Sequence, residues 1–344
     1  MIRFGTAGWR GVISDEFTFL NVRKGAHAVS GAVKENPEYG VNSEDYLASL
    51  GGSKRSPVPL VVVGYDTRFL SEEFAHEVAA VFASDGIKTM LTAGDLPTPA
   101  VGAAVMAHHA VGGVMITASH NAANYNGFKW MPYWGGAATP GVTDDIERRV
   151  ELLGLHAIKT MAVDRSLRES WIETADLREL YFKKLACLLD LKAIKKSGLK
   201  IGVDSMHGSA RNFLRPFLDR LGLQTRGLHE TRDVLFGGRS PEPTQSSLAE
   251  LKELMVKQRL NIGIACDGDA DRFGILDSGG VWIPANEVLA LALEHLVVNR
   301  GYKGKVARSV MTSHFIDAVG KSHGCDTRET PVGFKFIGEL LRSG

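Results

Sequence analysis

The sequence has few cysteines, almost no net charge and no long apolar segment, and each absence excludes a class of protein. Its three cysteines among 344 residues, Cys187, Cys266 and Cys325, are far apart and match no metal-binding spacing. Such thiols are typical of a cytoplasmic protein, which we therefore expect. The formal net charge of +1 gives no electrostatic basis for a nucleic-acid or anionic-membrane partner. No run approaches the roughly 18 apolar residues of a membrane span, and no signal peptide is recognisable.

The length of the chain and its pattern of apolar residues predict more than one domain. A single core rarely extends through 344 residues, so two or more domains are expected. Residues 59–66 predict a buried strand, and residues 71–86 predict a helix with Ser71 as N-cap and Gly86 at its end. A second strand, a helix and a third strand follow in residues 87–118. This alternation is typical of a parallel sheet covered on both faces.

The same alternation begins twice more further along the chain. Strands in residues 199–205 and 260–269 enclose two helical patterns, and another strand starts a third series at residues 304–310. In such sheets ligands bind outside the carboxyl ends of the strands, where several polar residues fall. Residues 35–59 are polar and turn-rich and predict a surface insertion, while residues 170–191 predict a helical segment before the second unit.

Three aspartates at alternate positions form the most informative short motif. Asp267, Asp269 and Asp271 follow an apolar strand, so their side chains are able to converge on one point. Three like charges at that range repel strongly unless a cation lies among them, and oxygen ligands favour a hard ion such as Mg²⁺. An EF-hand would place Gly and Glu where this sequence has Arg272 and Ser278. The alternative interpretation is a solvated acidic turn.

A polar loop after another apolar strand carries a hydroxyl, an imidazole and an ammonium group. Ser119, His120 and Lys129 lie in the segment MITASHNAANYNGFKW, residues 115–130. The serine lacks the G-x-S-x-G surroundings of a hydrolase nucleophile, and on its own the loop is typical of a polar turn. Beside a metal site, the serine and the lysine suit phosphoryl transfer, which depends on positioning and charge neutralisation.

Two further segments suit phosphate recognition. A guanidinium beside a metal matches two phosphate oxygens at once, although an ion pair with its acidic neighbours is an equal alternative for Arg272. Residues 4–11 place three glycines around Thr6 and Arg10, which lets backbone amides approach a phosphate, but they contain no Walker lysine motif. Two prolines stiffen the loop at residues 237–244, which on its own could be a plain connection.

Seven motifs, in order, resemble those of one known family. Together they resemble the α-D-phosphohexomutase superfamily, in particular the bacterial phosphoglucomutase/phosphomannomutase enzymes. The motifs are FGTAGWRG, GYDTR, TASHNAANYNGFKW, VDSMHGSA, GGRSPEP, DGDADRFG and TPVGFKFI. Each is weakly specific alone, whereas seven in the family's order are hard to produce by chance. The resemblance implies an α/β fold of serial three-layer α/β/α domains with mostly parallel sheets, two complete and one partial.

The resemblance implies a chemical role for each polar cluster. Ser119 would be carried as a phosphoserine. Asp267, Asp269 and Asp271 would bind one Mg²⁺ per chain together with an oxygen of that serine. Lys129 and Arg10 would assist proton transfer and charge stabilisation, and His120 lies beside the nucleophile. The residues expected to contact the substrate are Arg272, Lys335 and Thr6.

The activity implied by the resemblance is an intramolecular phosphoryl transfer. It would interconvert hexose 1-phosphate and hexose 6-phosphate, with glucose or mannose as the sugar, through a bisphosphorylated intermediate. A hexose 1,6-bisphosphate would serve as activator, and small hexose phosphates are the expected partners. Two alternatives are a Mg²⁺-dependent sugar-phosphate phosphatase and a non-catalytic phosphosugar-binding module.

The resemblance also predicts domain boundaries and two departures from the family. Domain I, with the phosphoserine loop, would span residues 1–165, domain II, with the metal loop, residues 166–300, and a partial domain III residues 301–344. Ala122 stands where the family usually has proline. The family's later sugar-recognition and phosphate-binding loops are missing from the sequence. We therefore expect a C-terminally truncated chain with weak or absent mutase turnover.

Overall fold

The computed structural model describes residues 2–5, 8–51, 58–154 and 158–343, which form three successive α/β units. The units contain sheets of six, five and two strands. Within these ranges, no helix has the length and apolar character needed to cross a bilayer.

The first unit is a mixed sheet with helices packed against it. Its strands are β1 (Trp9–Val12), β2 (Leu60–Tyr65), β3 (Lys88–Thr92), β4 (Gly112–Ile116), β5 (Tyr125–Pro132) and β6 (Ile172–Ala175). Its helices are α1 (Phe19–Glu35), α2 (Glu44–Ser49), α3 (Ser71–Ser84), α4 (Thr98–Ala107), α5 (Pro140–Leu153) and α6 (Val163–Arg168). The strand order is β1-β5-β4-β2-β3-β6, and β5 runs antiparallel to both of its neighbours.

The second unit follows two connecting helices, α7 (Arg178–Leu188) and α8 (Leu191–Lys196). Its strands are β7 (Lys200–Asp204), β8 (Gln224–Leu228), β9 (Ile262–Cys266), β10 (Phe273–Asp277) and β11 (Val281–Ile283), and its helices are α9 (Leu214–Arg220) and α10 (Ala249–Gln258). Short 3₁₀ turns lie at Ser209–Asn212 and Phe236–Gly238. The strand order is β11-β10-β9-β7-β8, so β7 and β9 lie side by side and in parallel.

The third unit is small, with two parallel strands, β12 (Lys305–Ser309) and β13 (Asp326–Thr330). Its helices are α11 (Ala285–Glu294), α12 (Phe315–Ser322) and α13 (Phe334–Ser343), with a π-helical turn at His295–Asn299. Six of the ten strand pairings in the described ranges are parallel. The predicted fold class, serial α/β units with mostly parallel sheets, is confirmed.

An apolar layer between α4 and the second unit joins the first two units. Leu177, just before α7, and Phe182, within it, are buried in one cluster with the α4 residue Val101. Phe213 and Phe217, at the start of α9, belong to the same cluster. Because burial of each large apolar side chain stabilises a fold by roughly 1.5–3 kcal/mol, this layer holds the two units in a defined relation.

The connecting segment differs from its prediction. Residues 170–191 were expected to be helical, but Ile172–Ala175 forms β6, which pairs in parallel with β3 at the edge of the first sheet. Helix α7 begins only afterwards. The β-branched residues of IETA fit that edge better than a helix would. The predicted domain boundary after residue 165 stays a prediction, although membership of the first sheet continues to Ala175.

The start of α3 also differs from its prediction. Ser71 was expected to be the N-cap, yet it is the first helical residue, and the cap position is Leu70, with φ of 59° and no side-chain cap. The hydroxyl of Ser71 instead donates a hydrogen bond to buried Asp66 (2.8 Å). The end of the helix agrees with the prediction, because Gly86 has φ of 73°, a conformation that glycine adopts without strain.

The predicted surface insertion at residues 35–59 contributes to the first core. Within it, Tyr39, Val41 and Tyr46 are 4–6% exposed. The segment is therefore packed rather than peripheral over its described part, which excludes residues 52–57. Because the segment is mostly polar, its few buried apolar residues were not recognised from the sequence.

We predict that a methyl group at Gly112 destabilises the first sheet. A Cβ there would lie 2.2 Å from the Trp130 ring and 2.7 Å from the Met131 carbonyl oxygen. Gly112→Ala should lower the free energy of unfolding by roughly 1–3 kcal/mol, as measured by urea denaturation. Gly141→Ala, in α5 with nothing within 4 Å of the added carbon, is the matched control and should not destabilise. Equal stabilities of the two variants would contradict this account of strand packing.

Candidate active site

The predicted nucleophile lies in the turn that joins β4 to β5, at the carboxyl end of the first sheet. Ser119 has a left-handed backbone, with φ of 55°, and its side chain is almost fully buried. Its N–H donates to Thr117 Oγ1 (2.8 Å). A serine in this conformation costs roughly 1–2 kcal/mol relative to the right-handed one, so surrounding contacts must hold it.

The three predicted metal ligands lie in the turn between β9 and β10 of the second unit. One carboxylate oxygen from each of Asp267, Asp269 and Asp271 lies within 4.8 Å of the others. Asp267 and Asp269 are fully buried, whereas Asp271 faces solvent in part. The sequence prediction that these three side chains converge is confirmed.

Ser119 and the aspartates meet across the junction of the two units. The Ser119 hydroxyl donates to Asp267 Oδ2 at 2.7 Å, and Asp271 Oδ1 lies 3.5 Å away. A Cβ on Gly268 would lie 2.6 Å from the Ser119 carbonyl oxygen, so only glycine permits this approach. Ser119 and the acidic cluster therefore lie together in one place, as the family resemblance implied, while the role of Ser119 as nucleophile stays a prediction.

Lys129 bridges two of the three aspartates. It lies in β5, not in the polar loop where the sequence placed it, because the loop ends and the strand begins at Tyr125. Its ammonium nitrogen lies 2.6 Å from Asp269 Oδ2 and 2.7 Å from Asp271 Oδ2. Burial opposes its charge, but the two carboxylates prevail and raise the pKa of Lys129 to about 12. The residue is therefore cationic at neutral pH.

The two buried carboxyl groups differ in acidity. Burial, followed by the charges of Asp269 and Asp271, raises the pKa of Asp267 well above its usual value. Burial acts in the same direction on Asp269, yet Lys129 and a hydrogen bond from Thr98 Oγ1 lower its pKa. A proton taken up by these two carboxyl groups therefore goes first to Asp267.

The residues fit a divalent cation. Three carboxylates face a single ammonium group, and Asp269 Oδ1 is buried with no hydrogen-bond partner among the described residues. An unpaired buried carboxylate oxygen is costly, and a hard cation would satisfy it. This part of the chain thus could hold a metal ion.

Three basic groups surround the mouth of the site. Arg10 of β1 donates to Asn121 Oδ1 (2.6 Å), and its pKa is lowered chiefly by burial and also by Arg272. His120 Nδ1 lies 3.4 Å from Ser119 Oγ, and burial together with Arg272 and Arg10 lowers its pKa. The guanidinium groups of Arg10 and Arg272 form a cationic mouth beside His120, and this mouth favours an anionic ligand.

Of the two interpretations of Arg272, the ion pair with the neighbouring aspartates is not seen, and phosphate recognition stays a prediction. Its guanidinium lies 3.5 Å from Glu242 Oε1, in the proline-stiffened loop, and remains about half exposed. It makes no ion pair within 4 Å with the three aspartates, and therefore keeps donors available to a ligand.

The other predicted substrate residues are less closely connected. Lys335 lies in the first turn of α13 with its ammonium 5.4 Å from the centre of the Phe336 ring, and makes no hydrogen bond to the acidic cluster in the part of the chain described. Thr6 lies outside the described residues. A cavity of about 390 Å³ extends from Lys129 and Asp271 to α13, where Phe334 lines it.

Several supporting residues were missed by sequence analysis. Thr98, the first residue of α4, donates its N–H to the Asp269 carbonyl oxygen (2.8 Å). Ser209 donates its N–H to the Gly268 carbonyl oxygen (3.0 Å), which ties the metal loop to the turn after β7. Asp204 ends β7 and accepts from His229 Nδ1 at 2.8 Å. The aspartate at the end of the apolar strand is a signal that could have identified Asp204, but no local pattern points to Thr98, Ser209 or His229.

Three known domain families match the chain in the same order as its three units. Models of the phosphoglucomutase/phosphomannomutase α/β/α domains I, II and III match residues 1–154, 179–280 and 284–344. A solved structure from Thermus thermophilus, assigned as a phosphomannomutase, is 34% identical with a TM-score of 0.85, covering 99% of this chain and 72% of that one. This chain belongs to the α-D-phosphohexomutase superfamily.

Other phosphohexomutases agree with this assignment. The chain is 29% identical over 343 residues to the phosphoglucomutase/phosphomannomutase of Thermococcus kodakarensis, covering 98% of this chain and 68% of the relative. Aspergillus fumigatus N-acetylphosphoglucosamine mutase, solved with GlcNAc-6P and magnesium, shares the fold at 15% identity and a TM-score of 0.50, covering 99% of this chain and 64% of that one. The chain spans 55–68% of the length of the first curated relatives that it matches.

We predict that His229 makes the stability of this phosphohexomutase chain depend on pH. Its hydrogen bond to Asp204 raises the pKa of His229 against the opposing effect of burial, and Glu250 adds to the rise. The raised pKa means that the stabilisation is complete below the usual histidine pKa and is lost as the pH rises through the folded-state pKa. The difference in melting temperature between the wild type and His229→Gln should therefore shrink from pH 6 to pH 9. A constant difference, or the same trend in the exposed-site control His323→Gln, would contradict this assignment.

Proposed function

We propose that this chain carries a phosphoryl group on Ser119 and exchanges it with hexose phosphates. The overall reaction is the interconversion of hexose 1-phosphate and hexose 6-phosphate, with glucose or mannose as the sugar. The observation that carries the proposal is the 2.7 Å contact between the Ser119 hydroxyl and Asp267, in a cluster of three carboxylates of which two are fully buried. A plain polar turn has no reason to bury a serine against an acidic cluster.

The side chains divide into those that hold a cation and those that receive an anion. Asp267, Asp269 and Asp271 would hold one Mg²⁺, with an oxygen of phosphorylated Ser119 completing the set. Bound there, the ion would neutralise charge on the transferring phosphoryl group. Lys129 stays protonated and offsets the charge of the same carboxylates.

Transfer breaks the bond between phosphorus and Ser119 Oγ while a new bond forms from phosphorus to a sugar hydroxyl. Arg10 and Arg272 are placed to bind the peripheral phosphoryl oxygens. His120 has a lowered pKa and is therefore neutral at pH 7, so its imidazole is able to accept the proton of the attacking hydroxyl and to pass it to the departing Ser119 Oγ, which lies 3.4 Å from Nδ1. The sugar, then bisphosphorylated, would return its other phosphoryl group after reorienting.

The burial of Ser119 supports transfer to a sugar rather than to water. Its side chain is 1% exposed, and a cavity adjoins the neighbouring Lys129 and Asp271. A phosphatase needs water at the phosphoserine, which this burial disfavours. A hexose 1,6-bisphosphate is accordingly proposed as the activator that first loads the serine.

The three thiols are free and agree with the cytoplasmic location that we also propose.

The first test is phosphorylation of the serine. Incubation with glucose 1,6-bisphosphate and Mg²⁺ should add about 80 Da, one HPO₃ unit, to the peptide of residues 115–130. Ser119→Ala should abolish the increment, whereas Ser322→Ala, in the third unit, should retain it. Intact-mass spectrometry with peptide mapping provides the readout. A wild-type chain that stays unmodified, or that carries the label elsewhere, would overturn the proposed function.

The second test is metal binding by the three aspartates. At a Mg²⁺ concentration 100 times Kd, the folded chain should gain roughly 2.7 kcal/mol of stability, seen as a rise in melting temperature that excess EDTA reverses. Asp269→Asn should lose most of this rise. Asp277→Asn, an exposed aspartate in β10, should keep it. Retention of the full rise in Asp269→Asn would place the metal elsewhere.

A further inference from the structure

A fully buried arginine lies beneath the Ser119 turn. Arg68 follows β2, and its guanidinium uses all five of its N–H donors inside the protein. Nε donates to Asp66 Oδ2 (3.1 Å). The other acceptors are backbone carbonyl oxygens: Ser119 (2.6 Å), Asn121 (2.6 Å), Ala122 (2.7 Å) and Tyr125 (3.0 Å).

These four carbonyl groups belong to one segment, the turn that carries the candidate nucleophile. The planar fork of a guanidinium fixes the relative orientation of its acceptors, which a single ammonium group would not do. Ala122 stands where the family usually has proline, but Arg68 donates to the backbone carbonyl of this residue. This hydrogen bond therefore does not depend on the side chain at position 122. Arg68 thus determines the path of the chain on both sides of Ser119.

The carboxylate beside Arg68 fixes the same turn from its other end. Asp66 Oδ2 accepts from Thr117 Oγ1 (2.6 Å), and Thr117 Oγ1 in turn accepts from the N–H of Ser119. Both backbone polar groups of Ser119 are therefore bonded to the Asp66–Arg68 pair, directly or through one hydroxyl. This accounts for the left-handed conformation that a serine would otherwise avoid.

The second unit covers the Arg68 side chain. The ring of Phe236 lies 4.9 Å from the guanidinium carbon and is 2% exposed. Arg232 donates to the Thr67 carbonyl oxygen (3.2 Å), and Phe236 itself has a left-handed φ of 53°. A guanidinium stacked on an aromatic face and removed from water is held strongly in place.

We infer that Arg68 is a positioning residue for Ser119 and that Phe236 of the second unit keeps it in place. Arg68 donates no hydrogen bond to a side chain of the acidic cluster or of the cationic mouth, so it acts through the backbone of the turn. The inference rests on the proposed function for its effect on phosphoryl transfer. Its effect on the turn itself does not depend on that function.

The decisive variants are Arg68→Lys and Phe236→Leu, with Arg211→Lys as the matched control. Arg211 is also a largely buried arginine between the two units, where it forms a two-point contact with Asp95 at 2.7 Å, but it has no bond to the Ser119 turn. Each variant would be measured in three ways: the rate of Ser119 phosphorylation by glucose 1,6-bisphosphate, the melting temperature with and without Mg²⁺, and amide hydrogen exchange over residues 115–130.

We expect Arg68→Lys to lower the phosphorylation rate by roughly 10- to 100-fold. A displaced serine hydroxyl lowers the reaction rate more than it lowers the affinity for the ligand. Amide exchange over residues 115–130 should become faster, while the rise in melting temperature caused by Mg²⁺ should persist. Phe236→Leu should give the same pattern with smaller effects. Arg211→Lys should lower the melting temperature without a specific effect on the turn or on the rate.

Two results would overturn the inference. One is unchanged exchange over residues 115–130 in Arg68→Lys, and the other is an identical pattern in Arg68→Lys and Arg211→Lys, which would make Arg68 a general structural residue. If Arg68→Lys does not fold, Phe236→Leu decides the question by the same criteria. If the wild type accepts no phosphoryl group, the proposed function fails, and the exchange data alone confirm or reject the positioning of the turn.

Discussion

The balance of buried charge between the first two units is the constraint on which the rest of the structure depends. Asp267 and Asp269 have no exposed surface, and carboxylates in such a place need cations close by. The protein supplies Lys129 from the opposite unit, and with it a hydrogen bond from Thr98. Lys129 of the first unit therefore compensates part of the negative charge that the second unit brings. The apolar layer between α4 and the second unit keeps these charged side chains in contact.

The site separates negative and positive charge along the depth of the cleft. Asp267 and Asp269 of the acidic cluster are fully buried, whereas Arg10 and Arg272 of the cationic mouth keep exposed surface. In the proposed function, the phosphoryl group on Ser119 would be held by the guanidinium donors and by the cation that the aspartates are proposed to bind. Such an arrangement is organised before the ligand arrives, which is the condition for electrostatic stabilisation of a transition state.

Local spacing made the main elements of the site predictable, whereas long-range contacts were not. Asp267, Asp269 and Asp271 follow one strand at alternate positions, so their convergence could be argued from the sequence. The role of Arg68 could not, because an arginine near a strand end is most often a solvated surface residue. Ser71 was assigned to the helix cap for the same local reason, but a buried aspartate five positions earlier in the chain binds its hydroxyl. Strand β6 likewise depends on the free edge of β3, which no local pattern reveals.

The separation of Ser119 and Asp267 by 148 positions has a consequence for the newly made chain. At ordinary rates of about 5–20 residues per second, the ribosome completes the serine turn roughly 7–30 seconds before the acidic loop emerges. During that interval the first sheet is able to form, but its serine has neither carboxylates nor a metal site beside it. The hydrogen bond between this hydroxyl and Asp267 therefore forms only once the later part of the polypeptide has been made.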